Sequence, residues 1–147
     1  MTGVFEVNSV EETWALARQF AAELKPGDVV CLEGDLGAGK TTFTQGLAAA
    51  LGVAGRVTSP TFCLVQEHRR VGKWESGKVS LLLVHMDLYR LRGEDDVLAI
   101  GWEDYLAEGA ILVVEWPERA GSLIPPTAKH VVFTHLDGHE RRRLEFA

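Results

Sequence analysis

Val29-Val30-Cys31-Leu32-Glu33-Gly34-Asp35-Leu36-Gly37-Ala38-Gly39-Lys40-Thr41 joins an unbroken apolar run to a glycine-rich loop. Residues 41–51 follow with Phe43, Leu47 and Leu51 at helical spacing, before Gly52. Four apolar residues in a row suit a strand covered on both faces, and the later spacing predicts a helix with a glycine stop. Residues 34–41 match G-x-x-x-x-G-K-T between that strand and that helix, which is where a phosphate-binding loop has to lie. Gly34, Gly37 and Gly39 let the backbone curl so that successive amides aim at phosphate oxygens, with the positive end of the helix behind them. The expected contacts run through Asp35, Leu36, Gly37, Ala38, Gly39, Lys40, Thr41 and Thr42. Lys40 is expected to reach the β and γ phosphates as a point charge, and the Thr41 hydroxyl to ligate the magnesium that bridges them. The side chains of Glu33 and Asp35 rank lower, as groups that point outward or organise the turn.

A loop of this kind works with an acid that holds magnesium directly or through water, at the end of a neighbouring apolar strand. Two acids fit. Asp87 follows Leu81-Leu82-Leu83-Val84-His85-Met86, and Glu115 follows Ile111-Leu112-Val113-Val114. Each strand end would deliver a carboxylate to the sheet edge where phosphates bind. Spacing does not decide which of the two is the direct ligand. Lys40, Asp87 and Glu115 are therefore the catalytic candidates, and Thr41, Asp87 and Glu115 the metal candidates.

The rest of the chain supplies the frame. Residues 4–7 alternate as a short strand; Asn8-Ser9 then cap a helix patterned through Trp14, Leu16, Ala17, Phe20 and Leu24, which Pro26-Gly27-Asp28 break. Residues 62–67 and 79–84 read as a hairpin whose turn spans 69–78, residues 95–106 as helical turns around Gly101, and residues 110–114 as a strand. Residues 131–134 and 141–146, joined through Asp137-Gly138, form a terminal hairpin. The predicted fold is α/β: one P-loop NTPase-like domain over residues 1–147, with a mixed, mostly parallel sheet flanked by helices and antiparallel hairpins at its margin.

The bulk properties agree. The 147 residues are 46% hydrophobic, enough for one ordinary core. A net charge of −6 argues against a protein that grips nucleic acid by broad phosphate neutralisation, so any RNA contact is expected through a partner. Cys31 and Cys63 have no paired spacing, which suggests neither a zinc site nor a disulfide. No run approaches the roughly 18 to 20 apolar residues of a membrane helix, and no signal pattern opens the chain. The expectation is a cytoplasmic protein without a membrane partner.

The loop Gly-Asp-Leu-Gly-Ala-Gly-Lys-Thr-Thr, followed in order by Thr58-Ser59-Pro60-Thr61-Phe62, His85-Met86-Asp87-Leu88-Tyr89-Arg90 and Val114-Glu115-Trp116-Pro117, resembles the bacterial TsaE (YjeE) family. The similarity runs from the early helix through Glu-Trp-Pro. It implies an ATPase needed to make threonylcarbamoyladenosine in tRNA. The implied partners are the TsaD and TsaB proteins, which carry the transfer, with tRNA met only through that complex. By position it puts Lys40 and Thr41 on ATP and magnesium, makes Asp87 and Glu115 the metal-side acids, and makes residues 58–62 a nucleotide-sensing segment with Thr61 near the γ phosphate. Phe62 stands where many relatives carry tyrosine. Read without the resemblance, residues 58–61 are a turn.

The weaker features keep ordinary readings. His85 is a strand histidine hydrogen-bonded within the core, Trp116 packs in the core or at its rim, and Arg90 and Arg119 are surface or ion-pair residues. The rival activities are a small P-loop kinase, for which the chain is short and lacks an arginine-rich lid, and a guanine-nucleotide switch, whose Asn-Lys-x-Asp motif is absent.

Overall fold

The computed structural model describes residues 1–35, 38–53, 65–69, 81–138 and 141–147, with only the backbone of 81 and 82. Within them lies a seven-stranded sheet of β1 (Gly3–Val7), β2 (Val29–Gly34), β3 (Val65–Arg69), β4 (Leu81–Asp87), β5 (Ile111–Glu115), β6 (Lys129–His135) and β7 (Arg142–Phe146), in the order β1-β7-β6-β2-β5-β4-β3. The four central strands β6, β2, β5 and β4 are mutually parallel, and the pairs β3/β4, β6/β7 and β1/β7 are antiparallel. The mixed sheet with hairpins at its margins is thus the observed architecture.

Among the described residues four helices cover the sheet: α1 (Val10–Ala21), α2 (Lys40–Ala50), α3 (Glu94–Ala99) and α4 (Trp102–Ala107), with a short 3-10 segment at Pro117–Leu123. Alternation along the strands divides the core in two. Val30, Leu32, Leu83, Ile111, Val113, Val131 and Phe133 pack with Leu16 and Phe20 of α1 and Phe43 and Leu47 of α2. Val29, Cys31, Val84, Met86, Leu112 and Val114 pack with Val97 of α3, Trp102 of α4 and Ala120. Helices on both faces are why residues 29–32 are apolar without interruption.

Some boundaries differ from the sequence reading. Ser9 caps α1 as expected, its Oγ accepting from the Glu12 amide at 3.1 Å while Glu12 Oε2 accepts from the Asn8 amide at 2.6 Å. Yet α1 stops at Ala21, and tighter turns carry the chain on, Glu23 N–H to Phe20 O and Leu24 N–H to Ala21 O. Leu24 still packs on the same core, which is why the apolar pattern runs past the helix. β4 ends at Asp87, three residues beyond the expected 84, because pairing with β5 continues through Asp87 opposite Glu115. β3 runs to Arg69, whereas residues 62–64 and most of the expected turn lie outside the described residues.

Candidate functional site

After β2 the chain builds β5, β4 and β3 on one side of it, then returns to lay β6 on the other. The carboxyl end of β2 is therefore where the winding reverses, the position at which open parallel sheets bind ligands. α2 begins there with Lys40, its first amides aimed at that edge.

Two glycines shape the approach. Gly34 has φ +147°, and a Cβ on it would fall 2.6 Å from the Phe133 carbonyl oxygen, so no side chain fits between β2 and β6 here. Gly39 caps α2 in the left-handed region at φ 102° with no side-chain cap, which leaves the first helical amides uncovered by its own residue. The Ala38 amide closes back on the Asp35 carbonyl at 3.0 Å. Asp35 is exposed, Ala38 is buried, and Gly39, Lys40, Thr41 and Thr42 are half-buried. Leu36 and Gly37 lie outside the described residues, as do Thr61 and the rest of the 58–62 segment.

Lys40 and Glu115 meet across the interior of this edge. Lys40 Nζ donates to the Gly34 carbonyl at 2.6 Å and lies 3.4 Å from Glu115 Oε1, with side chains only 11% and 8% exposed. The second carboxylate oxygen, Oε2, is 2.7 Å from His85 Nε2, and that imidazole is completely buried. Burial pushes the Glu115 carboxyl up, but the hydrogen bond and electrostatic pull of His85, followed by those of Lys40, hold it below its ordinary range. It is thus kept as a carboxylate. The strand period explains the convergence: Leu83, His85 and Asp87 share one face of β4, and Ile111, Val113 and Glu115 the matching face of β5.

Asp87 lies directly opposite Glu115 in the β4/β5 register, half-buried, with Oδ1 accepting the Tyr89 amide at 3.0 Å. Beyond the strands, Trp116 turns in the left-handed region at φ 58°, and its exposed ring meets that of Tyr89 at 4.8 Å between centroids. It packs at the rim.

Among the described residues no group of three His, Cys, Asp or Glu side chains forms a metal cage. Two carboxylates and a helix-start threonine instead match the donor set of magnesium, which keeps waters and takes phosphate oxygens alongside one or two protein acids. The sequence reading selected Lys40, Asp87 and Glu115 but gave His85 no tie to Glu115. The available signal was the shared parity of residues 85 and 87 on β4.

The comparisons with known proteins converge on one group. A family model described as threonylcarbamoyl adenosine biosynthesis protein TsaE matches residues 7–144. The tRNA threonylcarbamoyladenosine biosynthesis protein TsaE of Bacillus subtilis is 40% identical over 131 residues, covering 89% of this chain and 77% of that protein. Its counterpart in Aquifex aeolicus is 44% identical over 115 residues, covering 77% and 75% respectively. The crystal structure of YdiB from Bacillus subtilis superposes with a TM-score of 0.71 at 34% identity, covering 100% of this chain and 86% of that one. With a family model spanning nearly the whole chain and relatives of this identity, the chain belongs to the TsaE family.

Proposed function

We propose that this protein binds ATP with magnesium and hydrolyses it in support of threonylcarbamoyladenosine formation in tRNA. It acts in the cytoplasm beside the TsaD and TsaB proteins and meets tRNA only through their complex. The observation that carries the reading is the meeting of Lys40, at the start of an uncapped helix, with the Glu115 carboxylate where the sheet winding reverses. Family membership supplies the biological setting.

On this reading the loop amides from Asp35 to Thr42 would cradle the phosphates and Lys40 would reach the β and γ groups, and the family pattern assigns Thr61 to the γ phosphate. Thr41 with Asp87 and Glu115 would hold magnesium, which when bound neutralises charge developing on the phosphate oxygens. Glu115, kept ionised, accepts a hydrogen bond from a water approaching the γ phosphorus and fixes its direction. Positioning and charge do the work, and little covalent chemistry is asked of the chain. Without an arginine supplied by a partner, hydrolysis in isolation is slow, and turnover rises in the complex.

The test uses Lys40→Ala. In cells depleted of the native protein, the variant is expected to leave tRNA without the modification. The purified wild-type protein should release phosphate faster with TsaD and TsaB than alone. Full modification by the variant, or phosphate passed to an acceptor molecule instead of water, would overturn the reading.

A further inference from the structure

We propose that His85 is a positioning residue: it holds Glu115 so that one carboxylate oxygen faces the phosphate-binding lysine and cannot swing away from the site. The inference rests on the reading of this edge as a magnesium-nucleotide site and adds a residue to it.

The contacts form a chain across four elements. His85 on β4 meets Glu115 Oε2 on β5 at 2.7 Å; Glu115 Oε1 faces Lys40 Nζ on α2 at 3.4 Å; Lys40 Nζ donates to the Gly34 carbonyl on β2 at 2.6 Å. The imidazole is fully buried, and among the described residues its Nδ1 meets no hydrogen-bond partner. A carboxylate can only accept, so Nε2 donates to Glu115 Oε2.

Glutamate has three rotatable side-chain bonds and, beside a lysine ammonium, would turn both oxygens toward it. A carboxylate closed on Lys40 in that way would compete with phosphate for the ammonium. With Oε2 taken by His85, only Oε1 addresses Lys40, so of the three ammonium donors one goes to Gly34, one faces Glu115 and one is left for a phosphate. The carboxylate also keeps one fixed direction for a water or a metal-bound water. A buried partner that orients an acid in this manner is what preorganised sites use, and its loss typically lowers metal affinity or activity about 10- to 100-fold. Asp87 needs no such partner, because the Tyr89 amide of its own strand end holds its carboxylate.

The test compares His85→Leu, which fills similar space without a donor, with His85→Gln, which returns an N–H donor. Affinity for a fluorescent, non-hydrolysable ATP analogue is measured with and without magnesium, beside steady-state turnover and thermal unfolding. Wild type comes first: if it fails to bind the analogue, the site reading itself is wrong. Given binding, H85L is expected to lower turnover and the magnesium-dependent gain in affinity by about 10-fold or more, with a smaller fall in metal-free affinity as Glu115 turns its second oxygen toward Lys40. H85Q should regain most of that loss. In a Glu115→Ala background, H85L should cost no further magnesium-dependent affinity, since residues acting through one another are not additive. Wild-type magnesium dependence in H85L overturns the inference, as does an undiminished penalty in the E115A background. If H85L does not fold, H85Q decides: near wild-type behaviour supports the role, and a loss equal to that of E115A overturns it.

Discussion

The two faces of one sheet are built from alternate residues of the same strands, yet they have come to different ends. The face under α3 and α4 is apolar across its central strands: Cys31, Val84, Met86, Leu112 and Val114 close around Trp102 and Val97. The face under α1 and α2 is equally apolar in its middle and then turns polar at the carboxyl ends, where His85, Asp87 and Glu115 continue the rows begun by Leu83 and Ile111. Both faces hold the sheet together, and one of them also brings a buried histidine and two carboxylates together at the carboxyl rim. The teaching is that a period of two lets a strand serve a core and a site at once, because a residue's parity selects its face and its distance along the strand selects its role.

Substitutions on opposite faces should separate the two roles. Trp102→Ala empties a large buried volume under α4 and is expected to cost about 3–5 kcal/mol in urea unfolding, with nucleotide affinity of the folded fraction unchanged. A loss of binding per folded molecule would mean the faces are not independent. Glu115→Ala should do the reverse, removing hydrolysis while costing about 1–3 kcal/mol, since it deprives Lys40 and His85 of a shared acceptor. Asp87→Ala, which frees only the exposed Tyr89 amide, should cost less stability than Glu115→Ala. Equal costs would contradict the contrast between the two acids.

The same carboxylate sets a pH signature. His85 and Lys40 hold Glu115 below its ordinary value of 4.5 against the upward push of burial, so the folded state takes up this proton less readily than the unfolded chain. Its stabilisation is complete above the unfolded value and is lost as pH falls through the folded one. Glu115→Gln should therefore flatten the acid limb of the stability curve, measured by thermal unfolding between pH 3 and 6, chosen to span roughly the ordinary carboxylate range. An unchanged acid limb would place the titration elsewhere. The smallest effect belongs to the other face: Tyr105→Phe removes the O–H donated to Glu67 at 2.8 Å in an exposed setting. It should cost no more than about 1 kcal/mol and leave binding untouched.

Much of this was legible along the chain because it is local. The strand, loop and helix at residues 29–51 follow from apolar runs, glycine spacing and helical periodicity, and the two acids stand out as carboxylates ending apolar runs. The unequal circumstances of those acids were not legible. They depend on β4 lying beside β5 with Asp87 opposite Glu115, and on α2 bringing Lys40 over the strand end, contacts between residues tens of positions apart. His85 was read as a core histidine, and it is one; its tie to Glu115 needed the lateral register. The end of β4 was placed early because Leu81-Leu82-Leu83-Val84 already look like a complete strand, whereas pairing with β5 extends it to Asp87. Leu36, Gly37 and Thr61 lie outside the described residues, so the loop interior and the 58–62 segment stand on sequence alone.

The most direct test of the proposed nucleotide site is calorimetric titration of ATP with magnesium into the wild-type protein and into Lys40→Ala. Wild type is expected to bind with saturation at one site, and the variant to lose about 10- to 100-fold in affinity, as befits the removal of a charged hydrogen-bond donor. Equal affinity in the two proteins would contradict the assignment of this edge as the phosphate site.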